Sequence, residues 1–184
     1  MKTFLTALKL FLLMTLLTGF VYPLLVTGYA RLFHRDKAAG SLVTADGKPA
    51  GSELLAQRFA RPEYFRPRPS AVNYDPMPSG GSNLSPASAA LGKLAAERAA
   101  AGEAQAPEMR YAAASGLDPH ISPEAALEQC GRVAQARGVP KVDIISVVEK
   151  AAEPRTFGLL GEPRVNVLLL NLELDKRYPY ERRR

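Results

Sequence analysis

The chain begins with an uninterrupted apolar stretch that is long enough to cross a membrane. Residues 10–30 carry no charge and are bounded by Lys9 and Arg31. As a helix, these 21 residues span about 31 Å, which matches the hydrocarbon core of a bilayer and exceeds the usual apolar core of a secretory signal. The pattern predicts a short N-terminal segment (residues 1–9), a transmembrane helix (10–30) and a soluble domain (31–184).

Small and polar residues interrupt the leucines of the predicted transmembrane helix. A plain lipid anchor needs only large apolar residues, whereas small residues let another helix approach closely and proline frees a carbonyl group that a neighbour must help to satisfy. The predicted site for packing against other membrane helices consists of Thr18, Gly19, Tyr22 and Pro23. The competing interpretation is that threonine and glycine are common in single spans and have no packing role here.

Two properties of this helix stay open. The tripeptide Gly28-Tyr29-Ala30 has the small-x-small pattern of a cleavage site, so a secreted or periplasmic binding protein or enzyme, cleaved after Ala30, is the alternative function. Basic residues stand on both sides of the apolar stretch, so the positive-inside rule does not fix its orientation.

The remaining pattern predicts an α+β soluble domain, with a small sheet and about three helices. Residues 41–59 predict a short strand, a hairpin turn at Asp46-Gly47 and a second extended segment after Gly51, which Pro49 limits to an edge or a late start. Residues 61–86 are rich in proline and glycine, yet they carry aromatic anchors. They predict a long packed loop rather than a flexible linker. The anchors are Tyr64, Phe65 and Tyr74.

Three helices are expected after this loop. Ser85-Pro86 predicts the start of an alanine-rich helix that ends near Gly102, and Ser122-Pro123 predicts a second helix that Gly138 stops. A third is expected to start at Pro140. Its inward residues are predicted to be Val142, Ile145, Val148 and either Ile144 or Val147.

The last element, residues 164–174, is the most apolar segment outside the N-terminus. Its sequence, "RVNVLLLNLEL", is β-branched at the start and apolar on both faces except for the asparagines. This pattern predicts a central strand.

Charge and composition exclude several classes. The net charge of +6 is a mild excess of 24 basic over 18 acidic residues, and no aromatic residues interleave with a basic stripe, so nucleic-acid binding is not expected. The dense basic clusters, Lys176-Arg177 and the terminal "ERRR", are predicted to form a solvated C-terminus. Cys130 is the single cysteine, and His34 and His120 lack the spacing of a zinc site, so no disulfide, metal site or firmly bound cofactor is predicted.

Two short runs suggest chemistry. Ser115, Asp118, His120 and Ser122 lie within eight residues, but catalytic triads are assembled from distant segments. We therefore interpret Asp118 as a turn former, Ser122 as a helix cap and His120 as a loop residue. A phosphate-loop sequence is absent; the nearest candidate for binding an anion through backbone N–H groups is a run of five residues, although a rigid turn is the simpler interpretation. That run is Ser79, Gly80, Gly81, Ser82 and Asn83.

Several runs, taken in order, resemble the KdpC family, the C subunits of Kdp-type potassium-transporting ATPases. The matching runs cover almost the whole chain. They are "TGFVYP" (18–23), "GSLV" (40–43), "DGK" (46–48), "GSELLAQ" (51–57), "YFRPRPSA" (64–71), "SGGSNL" (79–84), "SGLDPHISPEAA" (115–126), "RVAQARG" (132–138) and "PRVNVLLLNLELD" (163–175). The departures from the family pattern are Pro49, Ser85, Ala113 and Ala114.

The resemblance implies an accessory subunit in the plasma (inner) membrane of a bacterium or archaeon. Its implied partners are membrane lipid, a channel-like potassium-binding subunit and a P-type ATPase subunit that carries the phosphorylation chemistry. The family is described as a catalytic chaperone that raises the ATP affinity of the ATPase subunit, and one of its glutamines has been compared with the signature sequence of ABC transporters. Gln57 is a candidate for that glutamine, and ATP is expected only through the ATPase partner.

The resemblance also implies a placement. In such subunits the soluble domain is described as lying on the outer face, over the potassium entrance. A domain there cannot touch cytoplasmic ATP. We expect the outer face, with the N-terminus cytoplasmic, so that any effect on ATP affinity passes through packed subunits. Asp75 and Asp118 are then candidates for raising the local cation concentration. The alternative is a nucleotide-binding module on the cytoplasmic side.

Overall fold

The computed structural model describes residues 1–45, 47–101 and 106–179. The chain forms two compact units, Met1–Leu42 and Val43–Arg184. The predicted fold class is confirmed, because a long apolar N-terminal helix precedes a domain of helices and small sheets.

The first unit is dominated by one continuous helix, Lys2–Phe33, which is long and apolar enough to cross a membrane. It consists of α1 (Lys2–Leu16), a π-helical turn (Leu17–Val21) and α2 (Tyr22–Phe33). The predicted transmembrane segment, residues 10–30, lies entirely inside this helix. A short helix, α3 (Arg35–Ala38), follows.

The rest of the described chain alternates short strands with helices. Its elements are β1 (Leu42–Ala45), β2 (Lys48–Ser52), α4 (Ala89–Ala100), a 3-10 turn (Pro107–Arg110), β3 (His120–Ile121), α5 (Pro123–Arg137), α6 (Lys141–Ala151), β4 (Val165–Asn166) and α7 (Val167–Arg177). Within the described residues the sheets are two-stranded: β1 pairs with β2, and β3 pairs antiparallel with β4, with His120 opposite Asn166 and Ile121 opposite Val165.

The core lies between α5, α6 and α7. Apolar side chains recur every three or four residues on each helix, which gives each one an inward face. The largest fully buried ones include Val133 on α5, Ile144, Val147 and Val148 on α6, and Leu170 and Leu174 on α7.

Both ends of α5 follow the prediction. Ser122 caps the helix, and its Oγ accepts a hydrogen bond from the backbone N of Ala125 at 3.1 Å. Gly138 ends it in the left-handed conformation, with φ of 68°. A side-chain cap satisfies one of the first backbone N–H groups of the helix, and glycine adopts positive φ without a Cβ clash.

The central strand predicted for residues 164–174 is wrong. The extended part is short: Arg164 forms an isolated bridge with Glu153, Val165–Asn166 form β4, and helix α7 begins at Val167. Asn166 starts the helix by accepting a hydrogen bond from the backbone N of Leu169 at 3.2 Å. The leucines that follow favour helix. In α7, Leu168, Leu170 and Leu174 are buried, whereas Leu169 is exposed.

Three predicted element positions also need correction. Helix α4 begins at Ala89, because Ser85-Pro86 forms a separate turn in which Ser85 Oγ accepts from the backbone N of Ala87 at 3.3 Å. Strand β2 includes Pro49 and precedes the expected start, which a two-stranded sheet allows because one side of each strand is unpaired. Val142 is exposed, since the inward face of α6 is set by Ile144, Val147 and Val148.

The proline-rich loop (residues 61–86) behaves as predicted. All of its residues are described, and they form neither helix nor strand. Phe65 is fully buried, while Tyr64 and Tyr74 are half-buried. The predicted turn residue Asp46, the helix end near Gly102 and the tail 181–184 lie outside the described residues.

Candidate functional site

The predicted membrane-packing residues lie at an irregularity of the N-terminal helix. Pro23 has no N–H group, and inside a helix its ring collides with the carbonyl four residues earlier, which here belongs to Gly19. The π-helical turn Leu17–Val21 surrounds that carbonyl. A π turn widens the helix locally, and this widening relieves the clash. Gly19, which the sequence predicts as a packing position, therefore lies in the turn where the helix departs from α geometry.

The surface at Gly19 is open. A Cβ placed there would meet only the Cγ2 of Thr15, at 4.0 Å. The hydroxyl of neighbouring Thr18 donates to the carbonyl of Met14 at 2.7 Å, so this polar group is satisfied within the helix. Tyr22 is exposed beside the notch. A small-residue notch of this kind lets the backbone of another helix approach closely.

In the soluble domain, side-chain amides fasten the proline-rich loop to the helices. Asn171 Oδ1 accepts from the backbone N of Phe65 at 2.8 Å, and its Nδ2 donates to the Phe65 carbonyl at 3.0 Å. Gln129 makes the same pair of bonds to Arg66, at 2.9 and 3.0 Å. Arg132 donates to the carbonyl of Tyr64 at 2.9 Å. These bonds replace the strand ladder that an extended loop segment would otherwise need.

A charged network continues from this anchor. The Tyr64 hydroxyl donates to Asp175 Oδ2 at 3.0 Å and accepts from Arg61 at 2.9 Å. The side chain of Arg137 is 1% exposed and donates to Asp175 Oδ1 and to the carbonyl of Glu63, both at 2.8 Å. Burial and the neighbouring Asp175 carboxylate raise the pKa of Tyr64. The network holds the loop against α5 and α7, so these charges serve structure.

The candidate nucleotide residues take part in close packing. Gln57 lies on Gly51, where an added Cβ would come within 1.9 Å of its Nε2. Gly81 lies on the backbone of Ala114, whose carbonyl oxygen would be 2.9 Å from an added Cβ. A Cβ added at Gly116 would lie 2.7 Å from the carbonyl oxygen of Gly80, whereas a Cβ added at Gly80 itself meets nothing within 4 Å. Close backbone approach thus explains the glycine at position 81.

The three remaining candidates of this run, Ser79, Ser82 and Asn83, are exposed. The family departures at 113 and 114 fall in the segment packed on Gly81. Ala113 is buried, and its N–H donates to the carbonyl of Pro69 at 2.9 Å.

The cluster that suggested a triad makes local backbone contacts. Asp118 Oδ1 accepts from the backbone N of His120 at 3.1 Å, and Ser115 Oγ accepts from the backbone N of Leu117 at 3.1 Å. Ser122 caps α5. The turn and cap interpretations are confirmed, but His120 begins strand β3 instead of lying in a loop.

The carboxylate of Asp118 also has a cationic partner. Its Oδ2 lies 3.4 Å from Arg68 Nη1. Asp118 lines a surface cleft of about 560 Å³ together with Glu108, Glu124 and Glu162. Asp75, the other acidic candidate, is exposed and accepts from the backbone N of Met77 at 2.9 Å.

The polar residues that anchor the loop were not predicted from the sequence. Gln129 and Arg137 on α5 and Asn171 on α7 carry that task, and all three stand in helical patterns that are otherwise apolar on the inward side. A polar residue at an inward position was the signal, because a buried amide or guanidinium needs partners.

Comparisons with known proteins agree with the resemblance. The family model "KdpC: K+-transporting ATPase, c chain" matches residues 4–176. A curated relative from Myxococcus xanthus, named potassium-transporting ATPase KdpC subunit, is 51% identical over 96% of this chain and 89% of its own length. Proteins of the same name from Polaromonas naphthalenivorans and Rhodospirillum rubrum are 50% and 44% identical, over 94% and 97% of this chain and 94% and 98% of their own lengths. The chain therefore belongs to the KdpC family and is a subunit of a potassium-transporting ATPase complex.

Proposed function

We propose that this chain is a non-catalytic accessory subunit of an ATP-driven, high-affinity potassium uptake complex. It stabilises the assembly and supports the ATPase subunit. Its partners are a channel-like potassium-binding subunit and a P-type ATPase subunit. The observation that carries the proposal is the N-terminal helix: it is apolar and exposed, and its π turn contains the open notch at Gly19.

The contacts of the nucleotide candidates support an indirect effect on ATP affinity. Gln57 packs on Gly51 and Gly81 packs on Ala114, and the buried guanidinium of Arg137 is bonded to the Glu63 carbonyl and to Asp175. ATP is bound by the ATPase partner, and this chain changes its affinity through a coupling between subunit states.

In the proposed topology the N-terminus is cytoplasmic and the soluble domain lies on the outer face of the plasma (inner) membrane of a bacterium or archaeon. Asp75 is better suited than Asp118 to attract cations, because Asp118 is paired with Arg68. Steering by exposed carboxylates acts on the rate of ion arrival and weakens with ionic strength.

Cysteine labelling tests this topology. Ser79→Cys places a thiol at an exposed position, and we expect a membrane-impermeant maleimide to label it in intact spheroplasts. The wild-type chain is the control, because its single cysteine, Cys130, is buried. Labelling only after lysis would contradict the outer placement and favour a cytoplasmic nucleotide-binding module. N-terminal sequencing of the same material distinguishes a retained helix from cleavage after Ala30.

Copurification tests the assembly role. Gly19→Leu fills the notch and should lower recovery of the partner subunits with this chain in detergent. Gly28→Leu is the matched control, since it adds the same side chain at a glycine of α2 that lies outside the π turn. A Cβ at Gly28 meets nothing within 4 Å. Equal recovery with the two variants would argue against packing through Gly19.

A further inference from the structure

A short hairpin between α6 and β4 carries exposed apolar side chains at its tip. Residues 153–164 form the hairpin, with antiparallel bridges between Glu153 and Arg164 and between Thr156 and Leu160. The tip residues Phe157, Leu159 and Leu160 are 91%, 80% and 63% exposed. Leaving three large apolar side chains in water at one point costs solvation free energy that polar turn residues would avoid.

The backbone of the tip is ordered by its own hydrogen bonds. Thr156 and Leu160 exchange two backbone bonds, at 2.9 and 3.0 Å, and Gly158 N donates to the Arg155 carbonyl at 2.9 Å. Phe157 has φ of 54°, a left-handed conformation that is unfavourable for a bulky side chain. Asparagine or glycine would satisfy this turn without strain. Strained residues of this kind cluster at binding sites, so the exposed ring at 157 is a candidate for a contact outside the chain.

The charges next to the tip compensate one another. Arg155 pairs with Glu162 at 2.6 Å, and Arg164 pairs with Glu153 at 2.9 Å. Segments that bind anionic membrane surfaces carry unpaired lysine or arginine around their apolar residues. This stem offers two cations and two anions, so its surroundings favour an uncharged protein pocket over a charged lipid surface.

The size of the tip limits the kind of partner. Three side chains, with about 150–250 Å² for the aromatic ring, provide a few hundred Å² at most, whereas a stable interface between freely diffusing proteins buries about 1,200–2,000 Å². Two tips meeting in a symmetric dimer stay below that range. A small contact suffices when another link already holds the partner nearby, because tethering raises the effective concentration to about the millimolar range.

We propose that the hairpin tip inserts into an uncharged apolar pocket on the extramembranous surface of another subunit of the same transporter. The N-terminal helix supplies the tether, so this proposal rests on the proposed function. Phe157 is the central anchor, and Leu159 and Leu160 seal the contact against water.

Site-specific cross-linking in the assembled complex tests the proposal. The photoreactive residue p-benzoylphenylalanine replaces Phe157 in the full chain, which is expressed with its partner subunits and irradiated in membranes. We expect an adduct with one other subunit of the transporter, identified by mass spectrometry. The same probe at Val142, which is exposed on α6, is the control. Adducts only with lipid, only with a second copy of this chain, or with nothing would overturn the proposal.

A triple variant measures the contribution of the tip. Phe157→Asn, Leu159→Ser and Leu160→Ser together should speed loss of the chain from the detergent-solubilised complex by at least about tenfold, since the variant removes all three apolar side chains that the contact would bury. Val142→Ser should leave the rate unchanged. Continued resistance of Cys130 to thiol reagents shows that the variant is folded. An unchanged rate in the triple variant would refute the proposal.

Copurification and cross-linking distinguish failure of the proposed accessory function from failure of the proposed hairpin contact. If the wild-type chain fails to copurify with any transporter subunit, the proposed accessory function fails. If the wild-type chain copurifies but the tip makes no subunit adduct, only the hairpin proposal fails.

Discussion

The side chain of Asn171 makes two hydrogen bonds to the backbone of Phe65, at 2.8 and 3.0 Å, and so takes the place of a neighbouring strand. Gln129 does the same for Arg66. Two amides on two different helices thus satisfy consecutive residues of a loop that has no sheet to join. The loop is held by specific hydrogen bonds as well as by the burial of the Phe65 ring.

Replacing Asn171 should destabilise the domain strongly. Asn171→Leu keeps the branching of the side chain but leaves the N–H and carbonyl groups of Phe65 unsatisfied in a buried site, at about 1–3 kcal/mol for each group. We expect a loss of about 2–5 kcal/mol in the free energy of unfolding, measured on the full chain in detergent by urea titration. Gln135→Ala, at an exposed position of α5, should change it by less than about 0.5 kcal/mol. Similar midpoints for the two variants would show that the amide bonds contribute little.

Gly116 should tolerate alanine less well than Gly158. Both have positive φ, 70° and 73°, so alanine costs about 1–2 kcal/mol at either position. At Gly116 the new Cβ also lies 2.7 Å from the carbonyl of Gly80 and 2.7 Å from a methyl group of Val72, whereas at Gly158 it meets nothing within 4 Å.

We expect Gly116→Ala to lower the thermal midpoint of the full chain clearly more than Gly158→Ala, because overpacking adds about 1–3 kcal/mol. Equal shifts would mean that the segment 79–83 moves aside at no cost.

Ser122 and Ser88 occupy equivalent positions before two helices but differ in capping. Ser122 Oγ accepts a bond from Ala125 N, while Ser88 makes no side-chain cap bond. Ser122→Ala should therefore cost about 1 kcal/mol of stability and Ser88→Ala only a few tenths. Denaturant midpoints of the two variants decide the matter, and a larger effect at Ser88 would be evidence against this assignment.

Cys130 should be inert in the folded protein. Burial raises the pKa of its thiol from 9.0 to about 11, which lowers the thiolate fraction at pH 8 by about 100-fold even before access is considered. We expect maleimide labelling of the native chain to be at least about 100-fold slower than labelling in urea. Comparable labelling rates would contradict the burial of Cys130 on α5.

The same shift gives stability a pH dependence. Folding favours the protonated thiol, so as pH rises from about 9 to about 11 the unfolded chain releases this proton first and the folded state loses stability. Cys130→Ala removes this contribution, and its pH profile should be flatter than that of the wild type over the same range.

Residues with local roles could be predicted from the sequence. The apolar helix, the Ser122 cap and the Gly138 stop follow from adjacent residues, because a cap or a stop is a property of one helix end. The element at 164–174 could not be predicted in this way. A segment that is apolar on two faces fits a buried strand and a buried helix equally well, and tertiary packing of α7 decides between them.

Some candidate site residues were also predictable because their roles depend on neighbours in the sequence. Gly19 and Pro23 stand four residues apart, so their relationship within a helix is fixed by its geometry. The roles of Gln57 and Gly81 depend on Gly51 and Ala114, which the sequence does not place beside them. The hairpin tip was missed because three apolar residues in a turn-rich segment show no periodicity, and only exposure distinguishes them from core residues.

The bond between Phe65 and Asn171 joins positions 106 residues apart, which constrains how the chain matures. At a synthesis rate of about 5–20 residues per second, the amide emerges roughly 5–20 s after the loop that it fastens. During that interval the N-terminal helix is already available to the membrane, while the segment around Phe65 waits without its final partner. A chain truncated before α7 would lack the amide that satisfies the backbone of Phe65, so the anchoring of the proline-rich loop depends on the last helix to be synthesised.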